Sequence, residues 1–296
     1  MRIIPKDIQT SKLHALLLGS VAPRPIAFAS TIDKKGNANL SPFSFFNCVG
    51  SNPPILIFSP ARRVRDNTIK HTLENIYETW EVVINVVSYS MVHQTSLSSV
   101  EFPKGVDEFV KSGFTQEKSE IVKPFRVKES PVQFECKVLQ VLETGKKGGA
   151  ANLIICEIVM MHVNENVLNE NGWIDPQKID LVARMGNDFY SRASGSSVFE
   201  VAKPNLKPAI GYDAIPEKIR MSEVLSGNNL GQLGNVEFLP SEEEIESMKN
   251  SEEVKSLLIN FGNDKSAIVK ETHWQAARWL AEGRVNDAWK LLLAIN

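Results

Sequence analysis

Between Pro25 and Asn164 the apolar positions come in short runs of strand length, broken by residues that favour turns. PIAFASTID (25–33) predicts a strand, and DKKGN (33–37) turns it back, because Gly36-Asn37 supplies the positive-φ positions a hairpin needs. ANLSPFSFFNCVG (38–50) predicts the next strand and PPILIFSP (53–60) the third. EVVINVVS (81–88) is β-branched and reads as a further strand. SPVQFECKVLQVLE (130–143) and ANLIICEIVMMHVN (151–164) predict two long strands joined by the Gly-rich turn TGKKGGA. At least six turn-linked strands with few helices between them predict a mainly β protein with peripheral helices. Its sheet should be antiparallel and rolled into a closed or nearly closed barrel, which removes exposed edges.

A 3.6-residue period appears in fewer places. IQTSKLHALLL (8–18) predicts a short helix that Thr10 or Ser11 can cap and Gly19 ends. Ile69, Leu73 and Ile76 predict a helix over 67–79 with Asp66 or Asn67 near its start. Residues 90–120 are polar and mixed, and read as helices and loops covering one face. From about residue 205 the texture changes: a Pro-containing loop is followed by the acidic PSEEEIESMKNSEEVKSLL, a helix with Ser241 as cap and Glu242–Glu244 in its first turn. KETHWQAARWLAEGRVNDAWKLLLAI reads as two helices split near Gly283. The division expected is 1–204 as one β domain and 205–296 as a loop and helical C-terminal extension, packing on the barrel or on a partner subunit.

Composition narrows the class. A 43% hydrophobic and 23% charged chain is an ordinary globular one, and a net charge of −2 gives no general case for nucleic acid or an anionic membrane. The apolar run LHALLLG is too short to span a bilayer, and no cleavage pattern of a signal peptide follows it. Three scattered cysteines (48, 136, 156) suggest a reducing, cytoplasmic setting, and five histidines without an HExxH or HxxxH pattern argue against zinc.

Polar groups gather beside the apolar strands in RPIAFAST (24–31), SPFSFFN (41–47) and SPARRVRDNTIKHT (59–72). The last carries Arg62, Arg63, Arg65, Lys70, Thr68 and Thr72 into a helix start. Such a place suits an anion, a phosphate above all; the alternative is a solvated basic loop. GxGxxG and GxxxxGK[ST] are absent, and GKKGGA and SGNNLGQLG read as turns, so a phosphate ligand needs a fold other than the Rossmann or P-loop type.

PRPIAFAST, NLSPFSFFNCVGSNPPILIFSP, KHTLENI and FVKSGF, in this order, resemble the flavin reductase-like family with its FMN-binding split barrel, which includes flavoredoxins and the reductase components of two-component flavin monooxygenases. Lys70, Thr72, Asn75 and Asn85 fall at the family's spacing, and VDEFVKSGF, VKESPVQFEC and ARMGNDFYSR extend the likeness over about residues 10–200. The resemblance implies that Ser44, Phe45, Phe46 and Asn47 lie along the isoalloxazine ring of FMN. It places Ser30 and Thr31 near the ribityl-phosphate arm, and Ser59, Arg65, Lys70 and Thr72 on the phosphate. The family's Asp in K-D-T is His71 here, which either helps hold a phosphate or sits exposed.

The resemblance further implies an NAD(P)H:flavin oxidoreductase in which NAD(P)H delivers hydride to FMN N5 and the electrons pass to a second flavin, a redox partner protein or a small acceptor. The cofactor carries that chemistry, so no catalytic side chain is assigned. It also implies a homodimer with the flavin near the subunit seam. The alternatives are a flavoredoxin-like carrier without nicotinamide turnover and a non-catalytic binding or scaffold module. Arg184, Gly186 and Tyr190 close over the flavin or the dimer seam, or serve structure. Cys48 reads as a small packing residue, His162 as a satisfied barrel-end histidine, and Trp274, Trp279 and Trp289 as core.

Overall fold

Six consecutive buried residues, Ala27–Ile32, form β1, which is covered on both faces. Ala27 and Ala29 face a core with Leu56, Phe58, Ile84 and Ile154, while Ile26 and Phe28 face a second core with Met91, Phe109 and Phe114. That alternation is the two-residue period of a strand. The computed structural model describes residues 1–203 and 207–295. It divides into two compact units, Met1–Phe199 and Glu200–Asn296. The boundary expected at 204/205 lies outside the described residues.

The first unit is built on one seven-stranded antiparallel sheet. Its strands are β1, β2 (Ala38–Phe43), β3 (Phe46–Ser51), β4 (Pro54–Phe58), β5 (Glu81–Asn85), β8 (Val132–Glu143) and β9 (Asn152–Val163), and a separate two-residue ladder pairs β6 (Gln116–Glu117) with β7 (Arg126–Val127). The spatial order is β2-β1-β5-β8-β9-β4-β3. The strands at the two edges, β2 and β3, are joined by only Ser44 and Phe45. The sheet must therefore curl until its edges meet, and the barrel closes through two residues of chain instead of a ladder of hydrogen bonds. This is a split barrel. The expected single strand over 38–50 is broken at Ser44–Phe45 for this reason: an apolar run does not reveal that its two halves pair with opposite ends of the sheet.

Among the described residues of this unit, α1 (Thr10–Ser20), α2 (His71–Thr79), α3 (Val92–Leu97) and α4 (Glu108–Ser112) are joined by a one-turn helix, Pro176–Ile179. Helix α2 starts later than the expected 67, because residues 61–70 form a loop in which Asn67 takes the left-handed conformation at φ 59°. Arg62 locks that turn through Asn67 Oδ1 at 2.8 Å and Asn67 O at 2.6 Å. The turn TGKKGGA buttresses the same loop. A Cβ at Gly148 would stand 2.9 Å from Arg63 O, so only glycine permits the approach.

The second unit is helical. Ser241 caps the helix Glu242–Lys249 through a reciprocal bond set with Glu244, and the acidic stretch breaks at Ser251 into a second helix, Glu252–Phe261. Lys265–Ala281 and Val285–Ile295 are separated at Gly283, whose φ is 77°. SGNNLGQLG, expected as a turn, contains the helix Gly227–Gly234; Ser226 and Asn229 cap it and the buried Leu230 and Leu233 anchor it. Trp289 is fully buried and donates to Leu233 O at 2.9 Å, and Trp279 is buried, whereas Trp274 is 48% exposed and departs from the expected core stripe. Among the described residues no helix is long and apolar enough to cross a membrane.

Candidate functional site

The loop 61–70 brings three cations onto one carboxylate. Arg63 Nε and Lys70 Nζ reach Glu101 Oε1 at 2.6 and 2.9 Å, and Arg65 Nη2 reaches Oε2 at 2.8 Å. Arg63 is the most firmly set, because its Nη1 also donates to Thr68 Oγ1 at 2.9 Å and Ile69 O at 2.5 Å. Arg65 is 74% exposed and is shared with Asp66 at 3.2 Å. The Lys70 and Arg63 donors hold the Glu101 carboxyl at about 2, far below the ordinary carboxylate value. A cleft of about 320 Å³ opens here, lined by His14, Arg62, Arg63, Arg65, Lys70 and Glu101 among others.

An exposed aromatic ring stands one side chain away from the cationic cleft. The Phe45 ring is 39% exposed and meets the His14 ring edge-on, with centroids 6.1 Å apart and planes at 83°. Since His14 also lines the cationic cleft, Phe45 and the three cations share a neighbour. Phe45 is held by its backbone, as Ser59 N donates to Phe45 O at 2.9 Å. Phe46 is half-buried and packs on the barrel core, and Asn47 is exposed with its Oδ1 accepting from Cys48 N at 2.8 Å. Ser44 Oγ accepts from Arg24 Nε at 3.4 Å. The Arg24 guanidinium is buried and also donates to the carbonyls of Leu18, Val21 and Met185, so it ties the end of α1 to the strand crossing.

The remaining expected residues lie inside. Thr72 is buried, and its Oγ1 donates to Asn39 Oδ1 at 2.8 Å. Thr31 Oγ1 donates to the same oxygen at 3.4 Å and accepts from Asn75 Nδ2 at 3.1 Å. Asn39 Nδ2 in turn donates to the buried Glu108 at 3.0 Å. Ser59 is buried, and its Oγ accepts from Asn152 N at 3.2 Å. Ser30 points to the opposite face from Thr31, is fully buried, and its Oγ has no partner. The structure thus joins Lys70 with Arg65, Thr31 with Thr72, and Phe45 with Ser59, while Ser30 stands apart from all of them.

Four participants were missing from the sequence-derived set: Arg24, Arg63, Glu101 and His14. Arg63 stood among the cations of SPARRVRDNTIKHT, but nothing in the sequence distinguished it from its neighbours. Glu101 has no motif; only the fold brings it to the loop. His71 lines a small recess with Asn39, Lys70, Thr72 and Glu101. Burial, with Arg63, Lys104 and Lys70 nearby, lowers the affinity of its imidazole for a proton despite Glu74.

The other residues singled out in the sequence have these surroundings. Arg184 stacks 4.5 Å over the Tyr190 ring, and Gly186 passes close to Gly19, where a Cβ would lie 3.2 Å from its Cα. Cys48 is exposed on the edge strand β3, not packed as expected. His162 bonds the buried Glu135 at 2.7 Å. Asn85 spans β1 and β7, donating to Phe28 O and accepting from Val127 N, both at 2.9 Å.

The arrangement can hold an anion at Arg63, Arg65 and Lys70 and present ring surface and mixed polar groups beside it. The family described as flavin reductase like domain matches residues 18–179. A protein of Aquifex aeolicus is 37% identical over 201 residues, 68% of this chain and 100% of the relative. Nitrilotriacetate monooxygenase component B from Bacillus cereus superposes with a TM-score of 0.63 at 28% identity, covering 68% of this chain and 98% of that one. A protein from Shewanella frigidimarina with a split barrel domain gives a TM-score of 0.58 at 28% identity, covering 69% and 99%.

Proposed function

We propose, for a chain that belongs to the flavin reductase-like family, that it is an FMN-binding oxidoreductase using NADH or NADPH as donor. The observation that carries this reading is the convergence of Arg63, Arg65 and Lys70 in a cleft whose wall residue His14 also meets the exposed Phe45 ring. A phosphate needs charge-assisted donors, and a tricyclic ring needs apolar surface with fixed polar groups at its edge. This loop and strand crossing provide both. Bound FMN supplies the redox chemistry, taking hydride from the nicotinamide and passing electrons to a flavin, a redox protein or a small acceptor.

The side chains have separate tasks in this reading. Lys70, Arg63 and Arg65 hold the phosphate. Phe45 and Phe46 support the ring, and Ser44 and Asn47 meet its polar edge. Thr72, Thr31 and Ser59 fix the walls from inside. In this reading the flavin domain is the unit Met1–Phe199, and Glu200–Asn296 is an appended helical unit. The reading includes a homodimer. Helix α1 has no buried residue, and its Leu16 and Leu17, with Val21 just after it, are exposed apolar side chains that a second copy would cover.

The test is the visible spectrum of the purified chain with FMN, then with NADH or NADPH under anaerobic conditions. Bleaching of the flavin bands by a nicotinamide supports the reductase. Bands that persist with both nucleotides but bleach with dithionite favour an electron carrier, and failure to take up any flavin overturns both.

A further inference from the structure

Glu101 reaches the cation cluster from a different part of the chain. It lies in the irregular segment between α3 and α4, facing a loop that contributes Arg62, Arg63, Arg65 and Lys70. Both of its oxygens are engaged, one by two cations and the other by a third. A phosphate monoester would take the same donors. The cluster is therefore a formed anion position, and a side chain of the protein already fills it.

The segment is loosely tied. Among the described residues, the backbone hydrogen bonds of residues 98–106 close locally: Ser98 to Gln94, Val100 to Leu97, Phe102 to Val100, Val106 to Pro103. Side chains add further ties: Ser98 Oγ and Ser99 Oγ donate to the nearby carbonyls of Thr95 and Ser96 at 2.8 and 2.6 Å, Lys104 pairs with Glu74 at 2.6 Å, and the Lys111 ammonium stands 5.8 Å from the Phe102 ring centroid. Glu101 can leave the cations without breaking any strand pairing. Arg63 and Lys70 cannot leave as easily, since Arg63 is fastened to Thr68 and Ile69, and Lys70 leads directly into α2.

We infer that Glu101 is a selectivity residue, an internal anion that keeps free small anions off the cation cluster and yields to a phosphate carried on a ring-bearing ligand. The inference takes its ligand from the flavin reading. A free monoanion offers no more charge than the carboxylate it would displace. A phosphate monoester brings nearly two charges and more acceptor oxygens, and the attached ring adds its own contacts at Phe45. Only the combined ligand gains enough to open the site.

The experiment compares the full-length chain with its Glu101→Gln variant, and with Glu101→Ala should the first fail to fold. Three titrations are followed by fluorescence or calorimetry: FMN, riboflavin and inorganic phosphate. Removing the internal anion is expected to tighten FMN about tenfold and to strengthen inorganic phosphate binding, leaving riboflavin unchanged. FMN affinity that stays the same or falls overturns the inference, since Glu101 would then be a strut for the cations. If neither protein takes up flavin, the flavin reading fails separately. Inorganic phosphate then decides alone: tighter binding by the variant upholds the inference, and equal or weaker binding overturns it.

Discussion

Thr72 and Asn39 are joined by a 2.8 Å hydrogen bond that fastens the first turn of α2 to β2. Asn39 passes the connection to Glu108 at 3.0 Å, and all three residues are buried. Thr72→Val keeps the shape and removes the donor, leaving Asn39 Oδ1 with only the long contact from Thr31. The expected loss is about 1–3 kcal/mol of stability, read as a lower urea midpoint at unchanged slope. A shift too small to measure would mean that Asn39 finds another partner.

Lys70 presents its ammonium beside Arg63, and its truncation removes one of three charges from the anion position. Lys70→Ala is expected to weaken FMN binding by roughly tenfold to a hundredfold and to reduce its salt dependence. Riboflavin should bind both proteins alike. Equal losses for both flavins would place Lys70 against the ring instead of the phosphate.

Gly148 permits the hairpin turn to rest on the backbone of Arg63. A Cβ there would lie 2.9 Å from Arg63 O and 3.0 Å from Val64 Cα, so Gly148→Ala must displace the loop. The expected result is weaker FMN binding together with a stability loss of about 1–3 kcal/mol. Stability lost with FMN affinity intact would separate the turn from the site.

Glu135 predicts a pH dependence. Burial pushes its carboxyl up, but the backbone donors of Glu120, Ile121 and Val122 and the His162 ring outweigh it, and the net shift is downward. A folded-state value below the unfolded one makes its contribution fully present above the ordinary value of 4.5. That contribution is lost as pH falls through the folded value. Glu135→Gln should therefore be clearly destabilised at neutral pH, by about 3 kcal/mol, and the gap from the parent should narrow as pH falls below the ordinary value. Urea midpoints at neutral and acidic pH measure it; a constant gap would show that charge is not what Glu135 contributes.

The strands were legible because each carries its own signal. Gly36, at φ 93°, turns β1 into β2, while Asn37 is not left-handed as expected and instead bonds Asp33; the β-branched run marks β5, and TGKKGGA separates β8 from β9. The break at Ser44–Phe45 was not legible, since FSFF reads as one apolar stretch and only the pairing order of distant strands divides it. The late start of α2 escaped for a related reason: the helical period runs back to Ile69, while Arg62 and Asn67 hold the preceding turn in another conformation. At the site, the basic loop could be read from residue types. The choice of Arg63 as its best-held cation, and the arrival of Glu101 from beyond α3, depend on tertiary contacts for which a linear motif has no term.

The two-residue crossing between β2 and β3 has a thermodynamic consequence. Residues 44 and 45 take their places only when the opposite margins of the sheet have been brought together, so the wall they form is a property of the rolled sheet and of no smaller part. Any ligand that rests on Phe45 while gripping Lys70 binds the rolled state alone. Its occupancy would then oppose unrolling by mass action, and such a ligand would act as a second clasp on a barrel that two residues of chain hold shut.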